Sequence, residues 1–468
     1  LENADSSVLG KVRIRGGSAQ INNDVGSAKI LALQNFRGDN TLGMMTGTTY
    51  YEVSDPDTGN WQNEDSGFTT GLVPVIIEAG GSIYISNGTD VVHSFNGTSF
   101  TEYGSNSDDP PKGKVGCYFK NRLWLANIGS NTDYVQYSNT LAFGDDEWND
   151  STQVFKVGAG EGTEITAMVP FGDDRIIIFK EDSSYELIIQ GAATASWTLR
   201  VLDPNHGCVA YHGATYLNND IYYISRDGIR SILSDVANRQ QGVDVPLSWN
   251  LKDTWDDVFW AQMKDNARIV GFQNKILVAI PTANNSYGDT ILAYFINTKG
   301  WSVWTGLNVG CFGTFDDDGD ERLFYGEGTA DSVVYELLTG NNDGSTAIHY
   351  KEETRAFNFG KPFERKVGGE IEITFETAGS HSITVSANPD DEGYTELGTI
   401  TTQGLHLNLY LPFTLGSYKK GRAKFHLESL GRFRNIKFKI DHNATKSSNI
   451  NFLEILLQTY PADYQGEL

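Results

Sequence analysis

Short apolar segments separated by polar turns recur along the first two thirds of the chain. Tyr118-Phe119-Lys120-Asn121-Arg122-Leu123-Trp124-Leu125 is followed by Pro170-Phe171-Gly172-Asp173-Asp174-Arg175-Ile176-Ile177-Ile178. Tyr216-Leu217-Asn218-Asn219-Asp220-Ile221-Tyr222-Tyr223-Ile224 and Gly271-Phe272-Gln273-Asn274-Lys275-Ile276-Leu277-Val278 repeat the pattern. A longer turn gives the copy Phe315 to Phe324, and weaker copies stand near Asn35-Phe36-Arg37-Gly38 and Gly80-Gly81-Ser82-Ile83-Tyr84-Ile85. Asn and Asp tolerate left-handed backbone angles, so turns such as Asn-Asn and Lys-Asn close two strands tightly. Copies start roughly 40–55 residues apart, the repeat length of a four-stranded propeller blade. Further turns at Asn87-Gly88 and Asn96-Gly97 flank Val91-Val92-His93-Ser94-Phe95, as a β-meander requires. Helical spacing is confined to Val245–Met263, through Leu247, Leu251, Trp255, Val258 and Phe259.

Beyond residue 350 the pattern changes to clean alternation. Ile371, Ile373 and Phe375 form one set, followed by Ile383, Val385 and Ala387. Leu405, Leu407, Leu409 and Leu411 form another, then Phe433, Ile436, Phe438 and Ile440. Alternation of this kind predicts half-buried antiparallel strands packed as a sandwich. The chain therefore reads as all-β: a lead-in over 1–27, a β-propeller over 28–340 and a β-sandwich over 350–468. Seven blades fit the repeat best, with six or eight open, and one short helix is inserted near 245–263. Asn341 to Ser345 serves as the linker.

Charge separates the two parts. The 468 residues carry 36 Lys+Arg against 60 Asp+Glu, a formal charge of −24. Residues 350–468 hold 14 against 15, which leaves 22 against 45 for residues 1–349. Such acidity argues against a protein that grips nucleic acid by neutralising phosphates. No apolar run approaches the roughly 18 residues of a membrane span, and no charged-then-apolar leader opens the sequence. Cys117, Cys208 and Cys311 are too scattered for a disulfide framework and sit among apolar neighbours, as buried thiols do. Five Asn-X-Ser/Thr sequons are what an Asn-, Ser- and Thr-rich chain produces by chance.

Candidate chemistry fails on spacing. The acidic turn Asp316-Asp317-Asp318-Gly319 invites a calcium reading, but the loop would start at Thr314 and place Tyr325 where a bidentate Glu belongs. His206, Cys208 and His212 offer three metal donors with no fourth partner nearby. Ser54 to Trp61 holds the residue types of a sialidase-type Asp box, one residue short between Gly59 and Trp61. Acidic pairs such as Asp145-Asp146 and Asp173-Asp174 are too common in the chain to mark an acid and a base. Trp301 and Trp304 could stack on sugars, though aromatic strand ends usually pack between blades. The expectation is a protein with no catalytic residues, no cofactor and no structural metal. One basic run, Lys419, Lys420, Arg422 and Lys424, is echoed by Arg432 and Arg434. It alternates with Ala423, Phe425 and Phe438, as the outer face of sandwich strands would. Lys419, Lys420, Arg422, Arg432 and Arg434 are the candidate protein-contact face.

Several segments, taken in order, carry a resemblance. They are Gly10-Lys11-Val12-Arg13-Ile14-Arg15-Gly16-Gly17, Tyr137 to Trp148, Asp174 to Leu187, and Ile221 to Ile232. Together they resemble the tail nozzle (hub, or stabilisation) proteins of short-tailed, podovirus-type bacteriophages, from about Leu9 to the start of the sandwich. The resemblance implies a propeller-bearing structural protein of the virion, a homohexameric ring below the portal and adaptor that retains the genome and then conducts it during ejection. Its implied partners are copies of itself, the tail adaptor, tail fibres, and DNA that passes without sequence-specific binding. Some members carry domains inserted between blades to hold fibres. Here the blades follow one another closely. The alternative reading is a secreted propeller that binds or hydrolyses glycans.

Overall fold

The structure is a computed structural model, and it describes residues 1–468 except 23, 105, 192–193, 241–243, 318, 330, 378–380, 403–418, 446–449 and 462–468. Two compact units emerge. One comprises Gln20–Leu292 and Gly306–Leu337; the other comprises Leu1–Ala19, Ala293–Thr305 and Leu338–Leu468.

Seven antiparallel sheets succeed one another, with all their first strands in the larger unit. Their first strands are Ile30–Phe36, Val75–Ala79, Gly113–Phe119, Ile165–Phe171, Ala214–Leu217, Arg268–Phe272 and Val309–Asp317. Each first strand touches the next, and the seventh returns to the first. A closed ring of sheets that meet at their first strands is a seven-bladed β-propeller. Every repeat copy read from the sequence is the turn between the first and second strands of one blade. The turn chemistry explains them: Lys120 and Asn121 take φ of +51° and +59°, and Asn218 and Asn219 take +52° and +60°. Two left-handed residues in a two-residue loop match the twist of the strands they join.

Second strands are mostly buried, and Thr41–Thr46, Asp220–Ser225 and Lys275–Ile280 are buried along their whole length. Each is sandwiched by neighbouring blades, which is why these strands are apolar runs rather than alternations. The hydrophobic effect acts blade against blade: Trp124, Ala126 and Tyr137 of the third pack on Ile176, Ile178 and Tyr185 of the fourth. The seventh blade is completed by Ser18–Ile21, a strand from ahead of the first blade. Its inner strand lies so close to the first blade that a Cβ on Gly310 would stand 2.5 Å from the Ile30 carbonyl oxygen. A Cβ on Gly313 would stand 2.5 Å from Leu33 Cβ.

The fifth blade has three strands, and helical pieces follow it: Ile232–Gln240, Lys252–Asp256 and Trp260–Asn266. The single helix expected near 245–263 is thus divided. Trp255 and Val258 do bury the apolar face, but the chain turns after Asp256, where the Phe259 N–H donates to the Pro281 carbonyl at 2.9 Å.

In the smaller unit two sheets share one core. Ala4–Asp5, Val12–Ile14, Ile450–Pro461, Lys366–Thr377 and Lys419–His426 make the larger sheet, with Arg432–Phe433 paired to Lys366–Thr377. Tyr350–Glu353, Ile436–His442, His381–Pro389 and Thr395–Thr402 make the other. Ile371, Ile373 and Phe375 pack against Val385, Ala387, Phe438 and Ile440. This is an antiparallel β-sandwich, and the segment read as a lead-in contributes two of its strands. The alternating leucines Leu405, Leu407, Leu409 and Leu411 lie outside the described residues.

Candidate functional site

A propeller brings the starts of its inner strands to one end of its axis. Here that geometry gathers polar residues from different blades. Lys29 precedes the first inner strand, Lys114 lies on the third and Glu164 precedes the fourth. Tyr211 and His212 precede the fifth, and Lys264, Asp265 and Asn266 end the helix before the sixth. A cavity of about 450 Å³ opens there, with Lys29, Lys114, Tyr211, His212, Asp265 and Asn266 in its wall.

Glu164 organises one side. Its carboxylate accepts from Lys264 Nζ, from Tyr211 Oη at 2.6 Å and from Asn127 Nδ2 at 2.7 Å. Lys264 also pairs with Glu181, and both Lys114 and Lys264 lie over the Tyr211 ring. Burial alone would raise the Glu164 pKa, but the hydrogen bonds from Lys264, Tyr211 and Asn127 outweigh it and hold the group below the usual value. Such a carboxylate is a fixed structural charge, since its lone pairs are already occupied.

Deeper along the axis a chamber of about 150 Å³ is lined by Leu31, Val73, His212, Arg268, Cys311 and Phe312, among others. Arg268 is the first residue of the sixth inner strand and is buried, with Nη1 donating to the Ala267 carbonyl. Burial holds its pKa down to about 10. Burial, then the charge of Arg268, lowers His212 to about 3 and Lys29 to about 8. At the opposite end the inner strands finish around Gln34, Arg37, Glu78, Tyr118 and Thr314, where a second mouth of about 510 Å³ opens.

The sequence-predicted contact face takes a different shape from a single patch. Lys420 pairs in register with Glu376 and Lys419 with Thr377, whereas Arg432 pairs with Val367 on the same strand. Nine residues of strand at about 3.3 Å each separate Lys420 from Arg432 by roughly 30 Å. Within the basic strand, Arg422 and Lys424 meet an acidic stripe: Arg422 reaches Glu372 at 3.4 Å, and Lys424 reaches Glu370 at 2.6 Å. Arg432 and Arg434 are exposed beyond that stripe. Sequence spacing could not reveal the stripe because its acidic half comes from a strand some 50 residues earlier.

The three metal donors go separate ways. His206 Nδ1 lies 3.1 Å from Asp203 and Nε2 lies 3.4 Å from Asp244, Cys208 is buried with its thiol on the Ala210 carbonyl, and His212 faces the axis. Trp304 is buried. Sequence reading missed the axial cluster, whose one signal is position: a polar residue at the same place in several repeats.

No family model matches the chain, and no curated protein matches it. Among solved structures it is similar to PorZ, a surface component of the type-IX secretion system of Porphyromonas gingivalis, at 12% identity and a TM-score of 0.43. That likeness covers 85% of this chain and 59% of PorZ. The extracellular domain of a putative hybrid two-component system, BT4673 from B. thetaiotaomicron, gives 8% identity and a TM-score of 0.45 over 88% of this chain and 58% of that one. BamB from Moraxella catarrhalis gives 10% and 0.41, over 69% and 99%.

Proposed function

We propose that this chain is a structural subunit of a phage tail nozzle, built into a homohexameric ring below the portal and adaptor. The ring retains the packaged DNA and then conducts it. The observation that carries the reading is where the acid lies: 45 Asp+Glu against 22 Lys+Arg in residues 1–349, and near balance in residues 350–468. DNA beside a carboxylate-rich wall is repelled and slides, whereas a wall rich in Lys and Arg would hold its phosphates. The propeller axis is not itself that conduit, because its chambers are sized for small molecules; the conduit forms between copies. In support, the segments that resemble nozzle proteins are successive blade strands, as in Arg175–Lys180 with Ser184–Ile188 and Asp220–Ser225 with Gly228–Ser231.

Six copies at −24 repel one another, so ring closure needs apolar contact and a template. The near-neutral sandwich, with Arg432 and Arg434 exposed, supplies the proposed contact with the adaptor or a neighbouring subunit. Mass measurement of purified chain tests this: monomers at low salt, and hexamers once the adaptor is added. A stable dimer or trimer that ignores the adaptor would overturn it.

A further inference from the structure

The propeller axis holds basic groups that no carboxylate pairs with among the described residues. Arg268 is only 4% exposed, and its Nη2 has no hydrogen-bond partner. The ring Nε2 of His212, on the same chamber wall, is likewise buried and unpartnered. Lys29 lies on the outer cavity that shares Leu31 and His212 with this chamber. Its ammonium donates to Asn266 Oδ1 at 2.8 Å and to the Ser286 carbonyl, both uncharged. None of the ion pairs found among the described residues involves Lys29, His212 or Arg268. Among those residues Asp265 is the one carboxylate within electrostatic reach, and it lies on the outer cavity.

A buried guanidinium without a counter-charge is costly, and elsewhere this chain avoids one. Arg230, equally buried, meets Asp235 at 2.9 Å and Asp244 at 2.8 Å. In a protein with so large an acidic surplus, a cationic chamber lacking a carboxylate has room for an anion in that place. We propose that the inner chamber is a binding site for a small oxyanion of the phosphate or sulfate class, held by the Arg268 fork and His212, with the Lys29 charge in the adjoining cavity adding attraction. Guanidinium geometry suits two oxygens of such an ion. The small chamber volume excludes a nucleic-acid strand. Because its wall draws on blades one, two, five, six and seven, an anion there would tie together the blades around the closing seam.

Thermal unfolding of the full chain with inorganic phosphate, against chloride at matched ionic strength, tests the site. Matching matters because screening alone stabilises an acidic protein. Wild type is expected to show a phosphate-specific rise in Tm that saturates, and Arg268→Met to lose it while remaining as stable as wild type in chloride. By calorimetry, Lys29→Met weakens phosphate binding by about tenfold, the loss of the nearest positive charge outside the chamber. If phosphate and chloride act alike on wild type, the chamber holds water only and the proposal fails. An unchanged saturable shift in Arg268→Met would also sink it. Should Arg268→Met not fold, an unaltered phosphate affinity in Lys29→Met overturns the proposal in its place.

Discussion

Glu52 and Arg230 show how single buried charges shape this propeller. Glu52 lies in the first blade, accepting from Tyr50 Oη at 2.8 Å and from Thr41 Oγ1 at 3.0 Å. Burial pushes its pKa up to about 7, with Asp39 and Glu64 adding to the rise. The folded state then binds a proton that the unfolded chain has already released, so stability falls as pH climbs from about 4.5 through 7 and levels off above. Discounted for partial solvent contact, the effect is on the order of 1–2 kcal/mol. Glu52→Gln should therefore gain on wild type between pH 5 and pH 8 in urea unfolding; an equal difference at both values contradicts the assignment. Arg230 acts in the other direction. It binds Asp227, Asp235 and Asp244, and Asp235 also accepts from Tyr223 Oη at 2.6 Å. Arg230→Met leaves those carboxylates facing one another, at an expected cost of about 3–5 kcal/mol. A loss below about 1 kcal/mol in the same assay, the range of exposed pairs, would show that the network is solvated.

Among elements, the hairpins between first and second strands were the most legible in the sequence, since Asn-Asn, Lys-Asn and Gly-Gly turns need left-handed residues in fixed places. The apolar second strands were legible too, because burial on both faces confines polar residues to the strand ends. Less so was the closing strand Ser18–Ile21: Ser18, Ala19, Gln20 and Ile21 offer little periodicity, and their partner strand lies some 300 residues later. The divided helical segment misled for a different reason, as Leu247, Leu251, Trp255 and Val258 keep helical spacing while the chain turns between them. The seam where the inner strands of the seventh and first blades meet can be probed directly. Gly313→Ala would place its methyl 2.5 Å from Leu33 Cβ, and because that atom cannot swing aside, the strands must part. Overpacking of this kind costs about 1–3 kcal/mol. Calorimetry should find Tm lowered, whereas an unchanged Tm would mean that the seam is loose.

At the scale of the whole molecule, the propeller followed by a sandwich could be read from two periodicities, one of repeats and one of alternation. The axial cluster could not. Lys29, Glu164, His212 and Arg268 are far apart in sequence, and each is ordinary alone; only closing the ring brings them to one axis. The contact face was partly legible, since the basic strand is plain in sequence while its acidic partner, Glu370 and Glu372, becomes its neighbour only through strand pairing. Charge is the property that joins fold to proposed role, because nearly all of the −24 falls on the residues that build the propeller. Electron microscopy of the native particle tests that link most directly. A six-fold ring of this chain at the tail is expected, with propeller carboxylates outnumbering Lys and Arg along the DNA channel; a three- or five-fold ring, or a channel lined mainly by Lys and Arg, would contradict the proposed role.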